Sequence, residues 1–235
     1  MKLTNLLLAA IVGFFLTSCG GGAKTEEAAT DEVAEEASME EEAPKFSMET
    51  AVGVFHEVAD VAAWTTAYEA LSDPEGRITV LASNENPNML VVFEWTESHA
   101  AAKEQFGSDR LNHVMDSIGV APERSYVYYD VKWVNDSEDE PLSSVIAVSH
   151  EVVDYATWKA AYDADTENRK TAGLRDEAVS VDADNPNMVH MIFSTNDVDA
   201  VMAMMESDDL KQKMEEAGVK SEPNVSVWVQ PNTGA

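Results

Sequence analysis

Two groups of residues in this chain combine types and spacing that could support chemistry. Each group consists of a histidine, a tryptophan eight positions after the histidine and a tyrosine twelve positions after the histidine. The groups are His56, Trp64 and Tyr68, and His150, Trp158 and Tyr162. An imidazole can act as a general base or as a ligand because its pKa lies close to neutrality. The structural alternative is a strand-end histidine that only hydrogen-bonds to a neighbouring loop.

The tryptophan and the tyrosine of each group are four positions apart, which is the spacing of neighbours on one helix face. Packing against a sheet explains such a pair without any function, and the alternative is that the rings form one wall of a pocket. We take these six residues and His190 as candidate ligand-binding residues, and His150 as the candidate catalytic residue. A methionine-rich run in the same half is either adaptable packing or a pliable pocket wall. Its members are Met202, Met204, Met205 and Met214.

No metal site and no cofactor are predicted. His150 and Glu151 are adjacent in a predicted strand, so their side chains point to opposite faces and cannot easily chelate one ion. The sequence also contains no nucleophile elbow, phosphate-binding loop, dinucleotide fingerprint or cysteine nucleophile motif. These observations leave open whether the chain is an enzyme.

The candidate residues lie in a tandem duplication. The segment from His56 to Trp64 recurs 94 positions later, and the tetrapeptide Asn-Pro-Asn-Met recurs 99 positions later. The second copy therefore carries about five extra residues after its first helix. Two copies are too few for a solenoid, which needs roughly three or more units. We expect two similar domains or two halves of one body.

Each copy is predicted to fold as strand, helix, strand, strand, helix and strand. This order within about 85 residues is typical of a ferredoxin-like unit, an antiparallel four-stranded sheet with both helices on one face. In the first strand Val52 and His56 share one face while Gly53 and Phe55 share the other, so neither face is polar throughout. We therefore expect both faces of the sheet to be covered.

The second copy begins with the pattern His-x-Val-x-Asp-Tyr-x-x-Trp-Lys from His150 to Lys159, followed by Arg169, Gly173-Leu174 and Asp184-Asn185-Pro186-Asn187. This pattern resembles the dimeric α+β barrel superfamily, and in particular its antibiotic-biosynthesis-monooxygenase-like members. The resemblance implies an α+β fold in which two ferredoxin-like repeats pack sheet to sheet, each with a pocket between its sheet and its helices. One chain could supply both halves as a pseudo-dimer, so a homo-oligomer is not required. The first copy departs from the pattern at 71–76, which makes the second copy the better candidate for a pocket.

The amino terminus indicates export. A lysine, an apolar run and the box Leu-Thr-Ser-Cys resemble a bacterial lipoprotein signal peptide at 1–18, with lipidation of Cys19, the only cysteine in the chain. The alternative is an ordinary secretory peptide. A disordered acidic tether is predicted at 19–50, ferredoxin-like repeats at 51–134 and 144–231, and a linker at 135–143.

The formal net charge of −29 opposes binding to nucleic acid or to anionic lipid. We expect a lipid-anchored protein of the bacterial cell envelope, and the acidic stretch soon after the lipidated cysteine favours the outer membrane or the cell surface. The leading functional hypothesis is the binding of a small apolar or aromatic molecule in a pocket of the second copy. One alternative is a cofactor-independent monooxygenase or isomerase in which His150 acts on a phenolic or enolic proton. Another is a structural or interaction protein of the envelope.

Overall fold

The structure, a computed structural model, describes residues 49–69, 78–137, 139 and 141–232. The predicted signal peptide, Cys19, the tether as far as residue 48 and the segment 71–76 lie outside the described residues. Repeat 1 comprises β1 (Thr50–Val58), α1 (Val61–Glu69), β2 (Ile78–Ser83), β3 (Met89–Trp95), α2 (His99–Phe106), α3 (Asp109–Ser117) and β4 (Val120–Val134). Repeat 2 comprises β5 (Ser144–Glu151), α4 (Tyr155–Ala164), α5 (Thr166–Thr171), β6 (Arg175–Asp182), β7 (Asn185–Thr195), α6 (Val198–Met205), α7 (Asp208–Glu216) and β8 (Asn224–Val229).

The eight strands form one closed barrel in the order β1-β3-β2-β8-β5-β7-β6-β4, and every pairing is antiparallel. Within each repeat the fourth strand lies beside the first, followed by the third and the second, which is the ferredoxin-like order. The two sheets join along β4 and β6 on one side and along β2 and β8 on the other. The predicted α+β fold class and the pseudo-dimeric barrel of two ferredoxin-like repeats are therefore confirmed.

The two seams between the repeats differ in length. Strands β4 and β6 share five residue pairs, from Tyr129 opposite Asp182 to Val134 opposite Ala178. Strands β2 and β8 share only two pairs, in which Val229 lies opposite Ala82. Strand β8 ends there, and Pro231, which follows two residues later, has no backbone N–H with which to extend the ladder. The outer edge of β2 before Ala82 therefore has no strand partner from β8.

Both faces of each sheet are covered, as the sequence predicts. On the outer face of repeat 1, Val52, Leu90 and Trp64 pack in one cluster with the helices, and repeat 2 forms an equivalent cluster around Ile146 and Trp158. A third cluster fills part of the barrel interior. Its buried members are Leu81, Val91, Val145 and Trp228.

Local sequence signals explain most element boundaries. Asp60 and Asp154 directly precede the helical patterns, which predicts them to be N-caps. Their carboxylates accept hydrogen bonds from the backbone N–H three residues ahead, at 2.9 and 2.8 Å, and so cap α1 and α4. Ser207 caps α7 by accepting a hydrogen bond from the Leu210 N–H, so a new helix begins there within the second helical region. Gly119 and Gly173 follow helices with φ of +82°, the left-handed conformation that glycine tolerates best.

Two local predictions need correction. The sequence predicts a first helix of repeat 2 that starts at Asp154 and continues to Thr171, but the helix breaks at Asp165, which separates α4 from α5. Asparagine and proline favour turns, so the sequence predicts a turn at Asn-Pro-Asn-Met between the second and third strands. In repeat 2 the tetrapeptide beginning at Asn185 instead belongs to β7. Pro186 is tolerated there because β5 pairs with β7 only from Met188 onward, so the proline lies beyond the doubly paired part of the strand. Among the described residues no helix is both long and apolar enough to cross a bilayer.

Candidate functional site

A cavity of about 340 Å³ lies between the sheet and the helices of repeat 2. We call it the helix-side cavity. Strand β5 and helices α4, α5 and α6 position its main walls. These walls include His150, Trp158, Tyr162, Arg169, Met204 and Met205. The first three were predicted from the sequence to form one site, and the fold brings them together here.

His150 is held in the wall of this cavity as a buried, neutral imidazole. Its side chain is buried, and neither ring nitrogen has a hydrogen-bond partner among the described residues. The ring packs edge-on to Trp158, with 5.9 Å between the ring centroids. Burial, with a smaller effect of His190, lowers the pKa of His150 to about 4. A neutral imidazole still carries one N–H, and leaving that donor unpaired costs about 1–3 kcal/mol.

Trp158 and Tyr162 stack on each other one helical turn apart. Their ring centroids are 5.0 Å apart and the planes are inclined by 29°. The Tyr162 hydroxyl donates a hydrogen bond to Asp176 Oδ1 at 3.1 Å, and burial raises the pKa of this phenol. Tyr162 therefore remains protonated, and its hydroxyl is directed to the protein rather than left for a ligand.

Arg169 closes one side of the cavity and is almost fully satisfied by the protein. Its Nε–H and one terminal nitrogen donate to the two carboxylate oxygens of Asp176, both at 2.9 Å. The other terminal nitrogen donates to the carbonyl oxygen of Tyr162 at 2.6 Å. Such a bidentate, buried arrangement fixes the wall and leaves little capacity for an anionic ligand. The sequence alone does not mark Arg169 or Asp176 as site residues, although Arg169 belongs to the pattern that carries the family resemblance.

Methionines form the flexible part of the wall. Met204, Met205 and Met214 line the cavity, whereas Met202 is not among the lining residues. Trp158 lines the same cavity, so the methionine side chains do not fill the space that it borders. Met side chains adapt their shape to irregular partners, so this wall can adjust to ligands of different outline.

Repeat 1 contains the same three side chains in nearly the same arrangement. Trp64 stacks on Tyr68 with centroids 4.6 Å apart, and the His56 ring centroid lies 5.5 Å from that of Trp64. His56 is also buried without a hydrogen-bond partner among the described residues, and burial lowers its pKa to about 4. The segment 70–77 after α1 lies outside the described residues.

His190 lies apart from the other candidates. It faces the interior of the barrel, where a second cavity of about 750 Å³ separates the two sheets. We call this space the barrel cavity. The His190 Nε2 atom is 2.8 Å from Asp182 Oδ1, and the ring packs edge-on against Tyr129 at a centroid distance of 5.0 Å. Residues of different repeats meet here, since Tyr129 belongs to β4 and His190 to β7.

In the described part of the chain, no group of three or more histidine, cysteine or acidic side chains is arranged to hold a metal ion. The three candidate histidines lie in separate environments: His56 packs on Trp64, His150 packs on Trp158, and His190 is paired with a single carboxylate.

Several solved structures share this fold. An anthrone oxidase-like protein is 12% identical and has a TM-score of 0.54, and the match covers 80% of this chain and 95% of that protein. A protein named as a candidate chlorite dismutase is 13% identical, with a TM-score of 0.55 and coverage of 80% and 97%. A protein from Lactobacillus acidophilus NCFM, named as a candidate monooxygenase, is 12% identical, with a TM-score of 0.52 and coverage of 78% and 95%.

Each match covers 78–80% of this chain, which is more than one repeat, so the structural similarity extends over both repeats. At 12–13% identity this likeness shows the fold alone, and the shared fold is the one that the sequence pattern implied. No protein-family model matches the chain, and no curated protein sequence matches it.

Proposed function

We propose that the chain is an exported lipoprotein of the cell envelope that binds a small apolar or aromatic molecule in the helix-side cavity. The observation that carries this proposal is the unpaired His150 imidazole in the wall of an apolar, methionine-bordered cavity. A buried polar group without a partner calls for an explanation, and an absent ligand that bonds to it is one. The cavity volume of about 340 Å³ falls within the range of small-molecule sites.

The chemistry of the wall indicates which ligands fit. Trp158 and the methionines offer apolar area, and the neutral His150 ring offers one donor and one acceptor. The guanidinium of Arg169 is already bound to Asp176, and Lys213, which also lines the cavity, is paired with Asp165 and Asp209. The described wall therefore offers no unpaired cation to an anionic ligand. A neutral ligand with a flat apolar body and one polar group matches these walls best.

Binding is favoured over base catalysis by the environment of His150. A general base works best when its pKa lies near the working pH, whereas burial lowers the pKa of His150 to about 4. The oxygenase or isomerase nevertheless remains a second candidate function. It is supported by proteins of the same fold that are named as an oxidase-like protein and as a candidate monooxygenase.

The proposal is tested by filling the cavity. Ala161 lines it, and the next residue toward the amino terminus, Ala160, is exposed on the same helix. Calorimetric titration of the full chain with naphthalene should show binding that Ala161→Phe weakens by at least about tenfold. The matched variant Ala160→Phe should bind as the parent does. Equal affinity of both variants would show that naphthalene does not occupy this cavity.

His150→Ala separates the two candidate functions. If the residue only lines a binding site, the variant loses the hydrogen bond to a ligand with one polar atom, such as quinoline, and the affinity for quinoline falls by about tenfold or less. If His150 abstracts a proton, the rate at which the protein converts an enolic or phenolic substrate falls by about 100-fold or more in the variant. If His150→Ala changes neither the binding affinity nor the reaction rate, and Ala161→Phe does not change the affinity either, the remaining hypothesis is a structural or interaction protein of the envelope.

A further inference from the structure

The barrel cavity is larger than the helix-side cavity and lies on the other side of the sheets. All eight strands contribute to its wall, and its volume is about 750 Å³. Thr79, Ser143 and Gln230 line the cavity and are also exposed to solvent, so the space reaches the protein surface at these residues. They lie beside the short β2–β8 seam and at the end of the linker.

The empty volume is not explained by the packing of the fold. Protein interiors are close-packed, and unfilled space costs stability because the lining atoms lose contacts. The barrel interior contains a packed cluster around Leu81, Val91, Val145 and Trp228, but this cluster fills only part of it. The remaining space has the size of a site for a drug-sized molecule.

Two polar atoms in the cavity wall have no protein partner. The Tyr129 hydroxyl forms no hydrogen bond with any described residue, and burial, aided by the charge of Asp182, raises the pKa of this phenol. Tyr129 therefore offers an O–H donor. The carboxylate of Asp182 can only accept, so the 2.8 Å contact assigns the hydrogen to His190 Nε2. Burial lowers the pKa of His190, which leaves its Nδ1 as a free acceptor.

The surroundings of this donor and acceptor restrict the ligand. Phe93 lies against Tyr129 with 6.0 Å between the ring centroids, so an aromatic surface adjoins the hydroxyl. Asp182 carries the nearby charge, and within the described residues its only ion-pair partner is His190. An uncompensated carboxylate disfavours an anion beside it. The ligand should therefore be neutral.

We propose that the barrel cavity is a second binding site, specific for a neutral aromatic alcohol. The ligand hydroxyl accepts a hydrogen bond from Tyr129 and donates one to His190, while its ring lies among the apolar side chains of the barrel interior. This site combines β4 of repeat 1 with β7 of repeat 2, so neither repeat contains it alone. It is independent of the site in the helix-side cavity, which lies on the opposite face of the repeat 2 sheet.

The test compares 1-naphthol with naphthalene, which lacks the hydroxyl, by calorimetric titration of the full chain. Tyr129→Phe keeps the ring and removes only the hydrogen-bond donor. It should therefore lower the affinity for 1-naphthol by about three- to tenfold and leave the affinity for naphthalene unchanged. The adjacent Tyr128→Phe, on the other face of β4, is the matched control and should change neither affinity. Thermal melting of both variants verifies that the barrel remains folded.

A second variant fills the space itself. Ala147 lines the barrel cavity, so Ala147→Phe should remove the binding of 1-naphthol that depends on Tyr129. Ala161→Phe, which fills the helix-side cavity, should leave that binding intact, so the two proposed sites succeed or fail separately. The inference is overturned if 1-naphthol does not bind at up to about 1 mM. It is equally overturned if Tyr129→Phe or Ala147→Phe leaves the affinity for 1-naphthol at the parent value.

Discussion

The guanidinium carbon of Arg169 lies 3.6 Å from the centroid of the Tyr162 ring, and both side chains donate hydrogen bonds to the same carboxylate, Asp176. The three groups come from α4, α5 and β6, so together they connect the helices of repeat 2 to its sheet. Arg169 is buried, which makes the arrangement a fixed part of the cavity wall.

Arg169→Ala should lower the free energy of unfolding by about 3 kcal/mol, because it leaves the Asp176 carboxylate without its cation in a largely buried position. Urea unfolding monitored by circular dichroism measures this loss. The control is Lys170→Ala, which removes a cation from the exposed pair with Glu167 and should change stability by less than about 0.5 kcal/mol. Equal urea midpoints for the two variants would contradict the structural role of Arg169.

The buried histidines should make the protein lose stability in mild acid. His56 and His150 have pKa values of about 4 in the folded chain against an ordinary value of 6.5, so the unfolded chain binds protons more readily. Their contribution is fully present above about pH 6.5 and is lost as the pH falls toward 4. At pH 5 each histidine should lower the free energy of unfolding by about 2 kcal/mol relative to its value at neutral pH.

Urea unfolding at pH 7.5 and pH 5 measures this dependence. His150→Phe cannot take up a proton, so the loss of stability between the two pH values should shrink by about 2 kcal/mol. His113 is exposed on α3, and His113→Phe should leave the pH dependence unchanged. An unaltered pH dependence in His150→Phe would mean that the imidazole is not buried as a neutral group.

Much of the fold follows from local signals in the sequence. The duplication, the strand and helix order, the aspartate caps and the two apolar faces of Val52 and Phe55 are properties of neighbouring residues. The stacked pairs Trp64–Tyr68 and Trp158–Tyr162 follow from their spacing alone. Such features are set by backbone periodicity and need no knowledge of the distant chain.

The barrel cavity could not be predicted in this way. Tyr129 appears in the sequence as one of several alternating tyrosines in β4, and Asp182 as the last residue of β6. Only the pairing of these strands places them opposite each other. The sequence places His190 in the same copy as the repeat 2 pocket but does not fix which face of its strand it occupies, since a shift of one residue moves a side chain to the other face.

Repeat 1 should not be stable by itself. Its inward face carries Phe55, Val91 and Phe93, and β4 would lose the strand that covers its outer edge. Residues 51–134 expressed alone should therefore self-associate or unfold, since an apolar face and a free strand edge promote aggregation. Light scattering after size-exclusion chromatography distinguishes this from the full chain. A stable monomer of repeat 1 would contradict the pseudo-dimer as the folding unit.

The proposed lipid anchor depends on Cys19, which lies outside the described residues. Cys19→Ser should release the protein into soluble fractions or leave its signal peptide uncleaved, because a serine has no thiol to lipidate. Fractionation of cells with an antibody against the barrel, together with the mass of the amino-terminal peptide, measures both outcomes. Normal processing and membrane association of the variant would contradict the anchor.

The unequal seams have a consequence for how such a barrel can evolve. In a homodimer a twofold axis makes the two seams identical, so any mutation that shortens one shortens the other and weakens the assembly twice. Joining both halves in one chain removes that constraint. Here β4 and β6 retain a five-pair ladder while β2 and β8 keep only two pairs. One long seam can hold the halves together while the short one is free to become an entrance, an option that a symmetric pair of chains does not have.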